Sequence, residues 1–290
     1  MLLGLFAYLL PNWRYLTVVT GVPPFLVLLF FPFIQESPRW LLTRKRTQEA
    51  HEVLRKIAKW NSRPPPNIAI TEALQAMVLK EEADVLKGFE GIKQIIKNKR
   101  LRLDLIILTW SNVSCAIVYY GVSFSAKSLS GNPNINMLYM GIFDFFAIPA
   151  TLVFNNRLGR KKTFLIYITL SSVFLASILA VDIIGDIRDR YPVVITIFAL
   201  SARFGIVSSW GALSVIIMET FPTTFRSTCL GFIAFSGYLG GVAAPQTIFL
   251  GDISASLPYI FYCSLTVSSS ILSWFLYEMA GEPLKDTAGA

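Results

Sequence analysis

The sequence predicts an all-α membrane protein, a bundle of spanning helices with one long polar loop. Three observations predict it. Apolar residues make up 54% of the chain, charged residues only 15%, and the mean hydropathy is +0.56. A soluble domain carries closer to a quarter charged residues. The apolar residues gather in blocks about twenty long, roughly the length a helix needs to cross a hydrocarbon core of about 30 Å. Finally, the basic residues crowd the ends of these blocks on one side.

Residues 2–34 are almost wholly apolar, broken by Pro11-Asn12-Trp13-Arg14. They read as the end of one span, a turn, and a full span from about Tyr15 to Phe33. Residues 35–103 are polar, with amphipathic stretches at about 47–60, 68–86 and 88–99. Ala50, Val53, Leu54 and Ile57 follow the i, i+3, i+4, i+7 helical spacing. Pro64-Pro65-Pro66 separates the first two stretches. This loop is expected to lie on the membrane surface as short helices. Further spans are predicted at about 104–126, 134–154, 163–184, 192–217, 229–250 and 257–277, giving seven complete spans and a stub. Pro23-Pro24, Pro149 and Pro245 fall inside spans. Membrane helices tolerate proline where neighbours or water satisfy the freed carbonyl. The expected divisions are 1–34, the loop 35–103, a six-span bundle 104–278 and a tail 279–290.

Charge predicts orientation. Fifteen of the 26 basic residues lie in the 35–103 loop. Arg157, Arg160, Lys161 and Lys162 follow two spans later, then Arg226 after two more, then Lys285 in the tail. The opposite side holds only Arg14, Lys127, Arg188 and Arg190. Lys and Arg favour the cytoplasmic side, so the loop and the C-terminus are expected there. Anionic lipid contact is a secondary consequence. Charges that border spans in this way argue against nucleic-acid binding.

The residue inventory excludes several chemistries. His51 is the only histidine and reads as part of a solvated helix face, so a His-based triad or zinc hydrolase is ruled out. Cys115, Cys229 and Cys263 lie apart in apolar blocks and read as small buried residues, with no metal-ligand spacing. No G-x-x-x-x-G-K-[ST] run is present, so no ATP-driven pump is indicated. The start of the chain lacks the basic region of a cleaved signal peptide. No cofactor is expected, and no acid–base or nucleophile constellation suggests an enzyme. A seven-span receptor is disfavoured by the charge pattern and by the absence of Asp-Arg-Tyr and Asn-Pro-x-x-Tyr runs.

Three motifs recur at the basic side. They are Glu36-Ser37-Pro38-Arg39-Trp40-Leu41-Leu42, Asn156-Arg157-Leu158-Gly159-Arg160-Lys161-Lys162, and Glu219-Thr220-Phe221-Pro222-Thr223-Thr224-Phe225-Arg226. Glu278, Gly281, Pro283 and Leu284 form a weaker fourth. In this order they resemble the major facilitator superfamily, and within it the organic cation/anion/carnitine transporters of solute carrier family 22. Tyr119-Tyr120-Gly121-Val122-Ser123 looks like the same family. Sugar porters carry a paired glutamine in that span, where this chain reads Trp110-Ser111-Asn112-Val113-Ser114. The resemblance covers the end of the fifth family span through the twelfth. It implies an incomplete major-facilitator-type bundle.

The resemblance also implies a cytoplasmic gate. Its candidates are Glu36, Arg39, Arg157, Arg160, Glu219, Arg226 and Glu278, forming ion pairs when the cavity opens outward. The family usually has Asp where this chain has Asn156, which removes one negative charge near the arginines. Partners for Glu36 lie in the family's first half, so a missing N-terminal half or another chain is expected to complete the path. The chain is expected to be a fragment of a longer transporter.

Ionisable residues inside spans are costly and mark functional sites. Asp144 and Arg203 lie mid-span, and Arg203 could hold an anionic group or pair with Asp144. The family often places an acid nearer Pro149, where this chain has Ala147. In the eleventh family span, cation carriers tend to have Asp and anion and carnitine carriers Arg, where this chain has neutral Tyr238. With Tyr119 and Tyr120, these form the candidate substrate cavity. The expected function is transport of small organic ions or zwitterions by alternating access, in the plasma membrane. A sugar-porter-type facilitator and a non-transporting chain that modulates full-length relatives stay open as alternatives.

Overall fold

The computed structural model describes residues 2–10, 12–31, 34–85, 97–125, 129–184, 192–221 and 226–278. The predicted tail 279–290, most of the stretch 88–99, and Lys127, Arg188 and Arg190 lie outside these residues. All regular structure among the described residues is helical. The chain divides into two compact units. One comprises Met1–Leu16 with Ile95–Ala290, and the other Thr17–Gln94.

In the larger unit, α1 (Leu2–Leu9) packs on α7, the helix Pro133–Leu158. Six further helical segments complete the bundle: α6 (Lys99–Phe124), α8 (Arg160–Ile184), α9 (Pro192–Thr220), α10 (Arg226–Ala243), α11 (Thr247–Ile253) and α12 (Leu257–Ser273). Asn98 starts α6 by accepting from the amides of Arg100 and Leu101. Asn132 likewise accepts from the Asn134 amide, with Pro133 at the first helical position of α7. Around Pro245, α10 tightens into a 3₁₀ turn, Ala244–Gln246, and resumes as α11. One apolar span of 28 residues, Arg226–Ile253, therefore runs through the proline.

The helix α9 is central. It packs on α8, α7 and α6, while α6 also holds α10 and α12. Small residues allow the close approach of α8 and α9. A Cβ on Gly205 would lie 2.9 Å from the Tyr167 carbonyl oxygen and 3.0 Å from Ser171 Cβ. Ser171 Oγ donates to the Ala202 carbonyl at 3.0 Å. This is membrane-type packing, in which close backbone contact and interhelical hydrogen bonds replace the hydrophobic effect. Leu108, Cys115, Phe164, Leu213 and Tyr262 fill the interior.

Six helices among the described residues are long and apolar enough to cross a membrane. The seventh expected span, 257–277, is shorter as an α-helix: α12 has 17 residues. Its path continues because the amides of Trp274, Phe275 and Leu276 donate to the carbonyls of Ile271, Leu272 and Ser273. This i→i−3 ending adds about 2 Å per residue. The outer faces carry large apolar side chains such as Phe145, Phe146, Ile148 and Phe249. Exposed apolar surface of this extent suits lipid contact.

The smaller unit holds most of α2 (Trp13–Phe30), then α3 (Pro38–Thr43), α4 (Thr47–Trp60) and α5 (Ile68–Val85). No residue of α2 is buried, although the helix is long and apolar enough to span. Leu41, Leu42, Ala50 and Val53 form a small core with Val78 against it. Ile57, expected on this apolar face, stays exposed because the core closes one turn earlier. His51 also differs from expectation. It is partly buried, and its Nδ1 hydrogen-bonds the buried Thr71 hydroxyl at 2.9 Å, pinning α4 to α5.

Candidate functional site

Asp144 on α7 and Arg203 on α9 meet inside the bundle. Arg203 Nε donates to Asp144 Oδ1 at 2.9 Å and its terminal nitrogen to Oδ2 at 2.7 Å. This is the bidentate fork that matches guanidinium to carboxylate. The Arg203 side chain is 5% exposed and Asp144 24%. The other terminal nitrogen donates to Ser123 Oγ and to the Tyr119 carbonyl at 3.3 Å, both on α6. The Tyr119 ring lies 4.2 Å from the guanidinium carbon, in cation–π range. Its hydroxyl donates to Asp144 Oδ2 at 3.4 Å. Three helices thus share one neutral ion pair whose donors have partners.

The network extends further than sequence reasoning saw. Trp210 packs edge-on to Tyr119 at 5.6 Å and donates its indole N–H to Asn112 Oδ1 at 2.8 Å. Asn112 Nδ2 donates to the Ile233 carbonyl at 2.8 Å, which reaches α10. Ser123, Asn112 and Trp210 were thus missed as members of this network. A signal existed for Ser123, one helical turn after Tyr119. Tyr120 meets Tyr119 edge-on at 5.2 Å and keeps 37% of its surface exposed. Tyr238, on α10, is 73% exposed.

A second cluster closes one end of the bundle. Gly159 alone links α7 to α8, with φ of +92°. The positive φ favours glycine, and a Cβ there would lie 2.7 Å from Glu278 Oε2 and 2.8 Å from Glu278 Cδ, so the carboxylate would have to shift. Glu278 Oε1 accepts from the amides of Arg160 at 2.8 Å and Lys161 at 3.4 Å. A carboxylate at a helix N-terminus satisfies orphan amides and complements the helix dipole. Arg160 Nε reaches Glu219, at the end of α9, at 3.2 Å to Oε1 and 3.1 Å to Oε2. Lys161 Nζ donates to the Trp274 carbonyl at 2.7 Å. Arg160, Glu219 and Glu278 therefore brace the ends of α8, α9 and the segment after α12.

The remaining predicted gate residues are not part of this brace. Arg157 is exposed and has no partner among the described residues. Arg226 Nε donates to the Phe221 carbonyl at 3.0 Å, tying α10 to the end of α9. Glu36 and Arg39 belong to the smaller unit. Glu36 lies 3.5 Å from Arg46, which also forks onto Glu49 at 2.8 and 2.7 Å. Those hydrogen bonds, and the guanidinium charge, hold the Glu49 carboxyl below its ordinary range and Arg46 above its own. Arg39 is exposed on α3. Among the described residues no group of three or more His, Cys, Asp or Glu could hold a metal ion.

Comparison with known proteins matches residues 3–289 to the sugar (and other) transporter family. The chain is 28% identical over 290 residues to an organic cation transporter protein of Drosophila melanogaster, covering 99% of this chain and 52% of that one. It is 29% identical over 290 residues to organic cation/carnitine transporter 2 of Homo sapiens, covering 99% and 50%. The chain thus spans about half the length of the curated relatives it matches. The fold is similar to the major facilitator superfamily proton:xylose symporter XylE bound to 6-bromo-6-deoxy-D-glucose. That match has a TM-score of 0.65 at 18% identity, covering 94% of this chain and 58% of that one. With helices as its regular structure among the described residues, six of them long and apolar enough to cross a membrane, and a family match over residues 3–289, this integral membrane chain belongs to the sugar (and other) transporter family.

Proposed function

We propose that the chain is the later part of a larger transporter for small organic ions or zwitterions, working by alternating access in the plasma membrane. The observation that carries this reading is the buried Asp144–Arg203 pair capped by the Tyr119 ring. Facilitators hold substrate near the bilayer midplane between two bundles, and an intramembrane ion pair there marks a functional position. A neutral pair beside tyrosine faces suits a solute carrying a cationic group, through ring contact. The likeness to organic cation and carnitine transporters, and the lack of a paired glutamine after Trp110, favour organic ions over sugars. The brace of Arg160, Glu219 and Glu278 holds the cytoplasmic ends of one bundle together, so the bundle rocks as a body against its counterpart. The central loop then faces the cytoplasm, in line with its basic residues. The other half comes from the rest of a longer chain or from a second protein.

Uptake of radiolabelled tetraethylammonium, carnitine and xylose tests the proposal, in vesicles carrying the chain joined to the family spans that precede it. Saturable uptake of tetraethylammonium or carnitine is expected, together with a drop of tenfold or more in its rate for Arg160→Ala at equal surface expression. Xylose uptake alone would favour the sugar-porter reading. Uptake kinetics untouched by Arg160→Ala would remove the role given to this brace.

A further inference from the structure

The loop unit carries a feature that transport does not use. Glu52, Arg55, Lys56 and Lys59 follow i, i+3, i+4, i+7 spacing along α4, so they share one face. The turn after α4 folds back onto that face. Ser62 adopts a left-handed φ of 53°, and the Arg63 amide donates to the Ala58 carbonyl at 2.8 Å. This closure is a 6→1 helix ending. It brings Arg63 and Pro65 beside the basic face, and a groove of about 510 Å³ opens between them. Four basic side chains line it against one carboxylate, Glu52.

Two observations set the groove close to the end of an apolar helix long enough to span, and beside exposed apolar side chains. Lys56 Nζ donates to Gln35 Oε1 at 3.1 Å. Gln35 follows Phe30, the last residue of the spanning helix α2, by five residues, which reach at most about 18 Å. The groove therefore lies near the plane where a span leaves the membrane. Beside it, Ile57 is 39% and Trp60 82% exposed. An exposed tryptophan next to a basic helical face is the pattern of a helix seated at the lipid headgroup level.

We infer that the groove formed by Arg55, Lys56, Lys59 and Arg63 binds the headgroup of an anionic phospholipid, with Trp60 and Ile57 entering the acyl boundary. Charge complementarity selects the occupant. Anionic lipids concentrate on the cytoplasmic leaflet and attract juxtamembrane Lys and Arg. A groove of this size admits a phosphorylated headgroup, and four cations around one carboxylate leave a net positive site. The inference does not depend on which solute the protein carries.

The test uses the full chain purified in detergent, titrated with short-chain phosphatidylserine, phosphatidylinositol bisphosphate and phosphatidylcholine, with bound lipid counted by native mass spectrometry. The anionic lipids are expected to bind and phosphatidylcholine is not. The triple variant R55Q/K56Q/K59Q should bind the anionic lipid roughly a hundredfold more weakly, about fivefold for each basic residue. Raising the salt should weaken wild-type binding. Helix content by circular dichroism checks that the variant folds, and R44Q/K45Q serves as a control expected to bind like wild type. Trp60→Ala should weaken the acylated lipid but leave inositol trisphosphate binding unchanged. Equal affinity in the folded triple variant would overturn the inference, as would equal binding of phosphatidylcholine. Inorganic phosphate binding as tightly as the lipid would overturn it too, marking a free-anion site instead.

Discussion

Replacing Asp144 with Ala is expected to destabilise the bundle by about 3 kcal/mol, the low end for breaking a buried ion pair. The low end applies because the Asp144 carboxylate keeps 24% of its surface, so water already screens part of the attraction. What remains after the change is the larger problem. Arg203 is 5% exposed, and its guanidinium would keep only Ser123, the Tyr119 carbonyl and a ring face as partners. Guanidinium cannot discharge itself by losing a proton. The double variant Asp144→Asn/Arg203→Gln carries no charge, so it should recover part of the loss, although each single variant is unstable. Thermal unfolding in detergent of wild type, Asp144→Asn, Arg203→Gln and the double variant gives the coupling directly. Additive effects, with the double variant as unstable as the two singles summed, would mean the pair is not coupled.

Gly159→Ala is expected to cost about 2–3 kcal/mol. Part of this is the backbone at φ +92°, ψ 167°, a region essentially confined to glycine, which costs another residue roughly 1–3 kcal/mol. The rest follows from the new methyl, which would sit 2.7 Å from Glu278 Oε2 and push the carboxylate off the first amides of α8. Glu278→Ala alone should cost about 1 kcal/mol, in the range of a lost helix cap. If the two residues act together, adding Glu278→Ala to Gly159→Ala should cost almost nothing further, since the clash and the cap disappear together. Thermal unfolding of both single variants and the double variant checks this. Full additivity would separate the glycine from the cap.

Much of this architecture was legible in the sequence, because a bilayer leaves few options. Every backbone group in a span must be bonded within the protein, so apolar blocks of the right length are helices. The basic hairpin Arg157 to Lys162 and the acid Glu219 were readable because charges at span ends stand out against apolar surroundings. The polar network around Asp144 was only half legible. Two ionisable residues inside spans could be picked out singly, and a pairing between them was one of two options. Which helix faces meet depends on packing across α6, α7 and α9, and no local pattern in one helix encodes that. Asn112 and Trp210 escaped notice for the same reason: each is ordinary in its own helix and gains meaning only from the other. Glu278 as a helix cap was equally hidden, since 118 residues separate it from the Arg160 amide it accepts from. Tyr238 shows the converse. It was chosen for its place in a family pattern, and it is 73% exposed on α10 rather than buried in the Asp144–Arg203 network. In the loop, spacing placed Ile57 on the apolar face, but the core has too few partners to cover that turn.

The central claim is that the face of α6 bearing Tyr119 and Tyr120 lines a path for organic ions. Labelling of Tyr120→Cys by a charged, membrane-impermeant thiosulfonate tests it most directly, in the chain joined to its other half and with Cys263→Ser to lower the background. Cys115 and Cys229 are buried and should stay silent. Rapid labelling that tetraethylammonium or carnitine slows is the predicted result. A cysteine at this position that reacts only with a lipid-soluble maleimide, at a rate no organic ion changes, would place it against lipid and contradict the account.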